Sequence, residues 1–176
     1  MDESEKQTLL GKLFDGNYID KRPEKKLLVY HGNISLNHKL MRFFIRDIFD
    51  AYVEFQARHD EQLKFIAHMP YTCGLAAVVS QELGADIASY NERDGLIYCE
   101  RNTDYIFLAH CIAHGNGLKR AASALEQMDS RIVFAICMYD AMKHQKIADE
   151  LGISVHSTIN KDDVRNYYNS KSIGAV

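Results

Sequence analysis

"YIFLAHCIAHGNGLKRAASAL", residues 105–125, puts an apolar run, a glycine-bearing loop and a helix in one line. The run 105–110 reads as a buried strand, and residues 118–128 as the helix that follows. Between them lies the loop 109–117, "AHCIAHGNG". Gly115 and Gly117 let the backbone take positive φ and aim amides inward. The free N–H groups of the next helix, with its macrodipole, favour an anion there. A phosphate cradle would therefore span Ala113, His114, Gly115, Asn116, Gly117 and Leu118. A strand, glycine loop and helix also occur as plain connection, so both readings stand at this point.

Outward from this stretch, strands and helices alternate. Residues 63–69 read as a strand, 74–83 as a helix ended by Gly84, and 86–90 as a second strand with a hairpin partner at 95–100. After the central unit come a strand at 131–139, a helix at 144–151 ended by Gly152, and a last strand at 153–159. Asn160 is placed to cap a final helix from Lys161. On the amino-terminal side a short helix is predicted over 5–14, a strand over 27–30, and a long helix over 38–58. The long helix carries one wide apolar stripe through Leu40, Met41, Phe44, Ile45, Ile48, Phe49, Tyr52 and Val53. Alternation with near-continuous apolar strands predicts an α/β fold with a parallel sheet covered on both faces. Ligands in such folds sit at the strands' carboxyl ends, which selects the loops 69–74, 109–117 and 139–143.

The chain has 176 residues, 47% apolar and 26% charged, enough for one ordinary domain with a sizeable core. Its formal net charge of −3 argues against a general nucleic-acid binder. No apolar run approaches the ~20 residues needed to cross a bilayer. The acidic start "MDESEKQTLL" lacks the apolar core of a signal peptide, which makes the cytoplasm the expected location. Cys73, Cys99, Cys111 and Cys137 fall at irregular spacings and read as reduced thiols rather than a disulfide frame.

The stretch 105–125 resembles the PRPP-binding loop of type I phosphoribosyltransferases, with Ile106, Phe107 and Leu108 as strand, Gly115 as loop glycine and Leu118 opening the helix. "RIVFAICMYDAMKHQKIADELGISVHSTINKDDV" (131–164) is similar to the tail of orotate phosphoribosyltransferases. "IAHMPYTCGLAAVVSQELG" (66–84) is similar to their pyrophosphate loop and its helix, and 13–40 to their amino-terminal hood. The resemblance implies one phosphoribosyltransferase-like domain: hood at 1–37, α/β core at 38–160, carboxyl-terminal helix at 161–176. It also implies a homodimer.

The same resemblance shows what this sequence lacks. The family's two adjacent acids, which hold ribose hydroxyls and hydrated Mg²⁺, correspond to Ala109 and His110. Ala offers no ligand, and a neutral imidazole suits Zn or Ni better than Mg²⁺. The hydroxyls around the 5′-phosphate become Ala113, His114 and Gly117. The pyrophosphate loop reads Tyr71, Thr72, Cys73 and Gly74, without the family's lysine. The family's mobile basic loop becomes the shorter, acidic 90–105, where Arg93 and Arg101 are the basic residues. On the base side Asp140 is kept and Ala141 stands for an arginine, leaving Lys143 or His144 as substitutes, neither bidentate. Each charge clamp at such a transition state is worth about 3–4 kcal/mol. The sequence therefore reads as an orotate phosphoribosyltransferase-like protein that is catalytically degenerate. It would bind a phosphate-bearing ligand or act as a structural or regulatory dimer partner. The alternative is an active orotate phosphoribosyltransferase using Mg²⁺, with His110, His114 and Lys143 in the lost roles.

Other groupings carry less. His110, Cys111 and His114 are close in sequence, but lack standard metal-ligand spacing and a fourth ligand, so no metal is assigned. Cys–His nucleophile pairs (Cys111 with His114, Cys73 with His68) lack a placed third group. His68 and His156, on apolar strands, read as satisfied core or edge histidines. Tyr167 and Tyr168, with the charged run 161–165, read as a solvated or packing helix face.

Overall fold

The computed structural model describes residues 1–19, 37–60, 62–70, 72–84, 86–141 and 145–173. In chain order the elements are α1 (Glu3–Asp15), α2 (His38–Gln56), β1 (Lys64–His68), α3 (Cys73–Leu83), β2 (Ala88–Asn91) and β3 (Gly95–Ile97). There follow β4 (Asp104–Ile112), α4 (Asn116–Glu126), β5 (Arg131–Asp140), α5 (Gln145–Leu151), β6 (Ser154–Asn160) and α6 (Lys161–Ile173). The predicted strand over 27–30 lies outside the described residues, as do Tyr71, Lys143 and His144.

Six strands form one sheet in the order β3-β2-β1-β4-β5-β6. All neighbours are parallel except the β2–β3 hairpin, where Tyr90 faces Leu96 and Asn91 faces Gly95. The Asn91 carboxamide oxygen accepts from the Arg93 and Asp94 amides and tightens that turn. Alternation along the central strands sends side chains to two cores. Phe65, Ile106, Leu108 and Ile136 meet Leu9, Leu13, Phe44, Ile48, Leu75, Val79 and Val164 on one face. Ile66, Phe107, Ala109, Ala135 and Cys137 meet Leu118, Ala121, Ala122 and Leu125 of α4 on the other. This is the three-layer α/β architecture that the alternation predicts, and the apolar stripe of α2 is largely core.

The ends of β4 and β5 depart from expectation. The loop read as 109–117 begins only at residue 113, because β4 stays paired with β5 through Ile112, opposite Asp140. Ala109, His110 and Cys111 are strand residues; Ala109 and His110 are buried. Asp140 is likewise the last residue of β5, paired with Ile112 and Asn160, rather than part of a loop. Continued ladder bonding with dense packing on both faces outweighs the turn signal of the small residues. The helix also starts two residues early, so Asn116 and Gly117 are helical.

Candidate functional site

The helices that follow β1 and β4 pack on opposite faces of the sheet. Leu75 and Val79 of α3 lie in one core and Leu118 of α4 in the other. The adjacent strands β1 and β4 therefore flank the switch point of the topology, where an open α/β sheet leaves its crevice.

On the β4 side the crevice is edged by Ala113 and His114, both exposed, and then by Gly115. Gly115 is the N-cap of α4 at φ 76°, ψ 0°, a left-handed conformation that glycine adopts without penalty. No side chain caps the helix, and the Lys119 amide donates to the Gly115 carbonyl at 2.9 Å. The first-turn amides of Asn116, Gly117 and Leu118 thus start an uncapped helix. Gly117 does not serve in the way its sequence suggests. Its φ is helical, and its glycine identity answers a close approach: a Cβ there would stand 2.6 Å from His68 Cε1.

His68 ends β1 and lies across this first turn. Its ring is stacked beside Tyr90 (6.2 Å between centroids) and tilted against Phe107 (5.8 Å). Burial pushes its pKa down, opposed by the carboxylate of Glu92, so the neutral imidazole is favoured. The sequence marks His68 as a core or edge histidine, and its ring contacts fit that reading. Its contact with Gly117 was not legible, because the two are 49 positions apart and meet only through the β1–β4 pairing.

Beyond β1 the chain turns sharply. The Thr72 amide donates to the His68 carbonyl at 3.2 Å and the Cys73 amide to the Pro70 carbonyl at 3.3 Å. Thr72 is buried, while Cys73 and Gly74 open α3, with Cys73 exposed. This turn brings no lysine or arginine to the crevice from 69–74.

On the β5 side, Asp140 is buried and Ala141 donates its amide to the Ile112 carbonyl at 3.1 Å. Burial, with the nearby Asp140 carboxylate, pushes the Cys111 thiol up to about 11. Burial first, then Cys111 and Asp140, push the Tyr139 hydroxyl up to about 12. Burial therefore favours the thiol form of Cys111 over the thiolate that a Cys–His pair would use. His110 is 3% exposed within β4, whereas His114 is exposed in the loop, so the structure separates the two histidines that the sequence sets close together. Among the described residues no group of three or more His, Cys, Asp or Glu is placed to hold a metal ion. A buried methyl at 109 and a buried imidazole at 110 do not fit hydrated Mg²⁺, which demands oxygen ligands.

No protein-family model matches the chain, and no curated protein matches it in sequence. Solved structures do match. UMP synthase of Leishmania donovani aligns at a TM-score of 0.68 and 13% identity over 94% of this chain, which spans 38% of that larger protein. Orotate phosphoribosyltransferase of Aeropyrum pernix aligns at 0.67 and 9% identity, over 93% of this chain and 99% of the other. The orotate phosphoribosyltransferase of Mycobacterium tuberculosis, solved in complex with PRPP, aligns at 0.59 and 12% identity, over 90% and 98%. Aligned with these enzymes over at least 90% of its length, the chain has the fold of the type I phosphoribosyltransferases.

Proposed function

We propose that this protein binds a phosphate-bearing ligand, of the phosphoribosyl or nucleotide class, on the first-turn amides of α4, and does not transfer phosphoribosyl groups. One observation carries the reading. Gly115 is left-handed and α4 uncapped, as a phosphate loop requires, while β4 before it carries Ala109 and His110 where the family resemblance calls for acids. Backbone amides need no particular side chain to bind an anion. Charge separation in phosphoribosyl transfer needs metal and cations together, and each missing clamp costs about 3–4 kcal/mol. The likeness to orotate phosphoribosyltransferases supports the ligand class. From the same resemblance we propose a homodimer and a structural or regulatory role for it.

In calorimetry, PRPP and inorganic phosphate should bind with affinities that Mg²⁺ leaves unchanged. The NMR amide signals of Gly115, Asn116, Gly117 and Leu118 should shift on titration. Tight PRPP binding that requires Mg²⁺, or orotate consumption above background in an ultraviolet assay at high protein concentration, would refute the proposal. Sedimentation velocity reads the dimer directly.

A further inference from the structure

We propose that the groove between α1, α2 and α3 docks an acidic, amphipathic segment of a partner protein. The groove measures about 920 Å³ and lies away from the crevice at the strand ends. Lys12 of α1 and Lys39, Arg42 and Arg46 of α2 line it, and all four are exposed. The α2 cations recur at helical spacing, so they form a single stripe. Among the described residues lining the groove, Glu82 of α3 is the one acid. Arg46 is shared with Glu5 of α1. Counting both acids, the described residues of the groove carry an excess of positive charge in a chain whose formal net charge is −3. Between the cations the lining is apolar: Met41, Phe43, Ile45 and Val78.

Charge and shape select the occupant. An apolar floor beneath a basic rim suits a segment with carboxylates on one face and apolar side chains on the other. Single-stranded nucleic acid held by base stacking would need an open aromatic face. Phe43 has its face covered by Lys12 Nζ, 4.8 Å from the ring centroid. The chain's own segment 20–36 carries Lys21, Arg22, Lys25 and Lys26 against Asp20 and Glu24, so its charge has the wrong sign.

The test uses the full chain and a fluorescein-labelled, helix-forming peptide with Glu on one face and Leu and Phe on the other. A peptide with Lys in place of each Glu is the control. Anisotropy should show the acidic peptide bound at least ~10-fold more tightly than the control, with affinity falling as salt rises. Lys39→Glu with Arg42→Glu should weaken binding ~10-fold or more, and Glu82→Lys should strengthen it. These side chains are exposed, so thermal melting should stay where it is, and so should phosphate binding at α4. Equal binding of the two peptides, or binding indifferent to the charge reversals, overturns the proposal. So does tighter binding of single-stranded DNA than of the acidic peptide. Self-association that the double reversal abolishes would assign the groove to a second copy and overturn it as well.

Discussion

Gly117 and His68 approach each other closely at the crevice. A methyl group at 117 would meet a ring that is itself held beside Tyr90 and Phe107, so the ring cannot swing away freely. Gly117→Ala should therefore destabilise the fold by about 1–3 kcal/mol through overpacking, despite the better helix propensity of alanine. In a His68→Ala background the clash is gone, and the same change should stabilise by up to about 1 kcal/mol. Urea unfolding of the four proteins of this cycle measures the reversal of sign; equal effects in both backgrounds would show that the ring does not constrain Gly117. Gly115 is a different case, held by its left-handed φ rather than by space. Both glycines stand out in the sequence, but only Gly115 is there for the reason the sequence suggests.

At the scale of elements, the amphipathic α2 carries one residue that its pattern does not explain. Asp47 sits on the apolar stripe between Phe44 and Ile48 and is 4% exposed. Its carboxylate accepts from the Met1 ammonium at 2.9 Å and from His156 Nε2 of β6 at 2.8 Å. Burial pushes this carboxyl up, but the hydrogen bonds from His156 and the Met1 ammonium outweigh it and hold the group well below the usual carboxylate range. A depressed folded pKa contributes stability that is complete above the unfolded value, ~4, and is lost as pH falls through the folded one. Asp47→Asn should cost about 3 kcal/mol at neutral pH. The gap between wild type and variant should narrow below about pH 4. Denaturant melts across pH test this, and a constant gap would count against it. His156 is thereby the satisfied histidine that its strand predicts. The start of α6 was also legible. Asn160 Oδ1 accepts from the Asp162 and Asp163 amides at 2.9 and 3.0 Å, and Asp163 returns a bond to the Asn160 amide at 2.9 Å. Asn160→Ala should cost about 1 kcal/mol in thermal unfolding, while Asn160→Ser should cost much less.

Across the whole molecule, a fold of this kind asks less of the sequence than a transferase site does. The chain aligns with the enzymes compared at TM-scores of 0.59–0.68 although its identity to them is only 9–13%. Layer packing needs only apolar residues at the right period, and many sequences supply that. A transferase site needs particular side chains at particular points, and residues 109 and 110 of this chain are a buried alanine and a buried histidine. Among the described residues no helix is long and apolar enough to cross a membrane. If phosphate binds at α4, it should raise stability by about 2.7 kcal/mol at a hundred times its dissociation constant. Thermal shift with and without Mg²⁺ should read the same increment, and a Mg²⁺-dependent increment would argue for a metal-using site.

The sequence alone determined the element types and the layered α/β class. Apolar periodicity and the capping residues Gly84, Gly152 and Asn160 act over a few residues, so they are visible in one dimension. Only the tertiary structure decided where β4 ends, that His68 rests on Gly117, and that Asp47 joins α2 to β6. Each depends on groups distant in the chain and brought together by strand pairing and packing, an energy that no local pattern of residues contains.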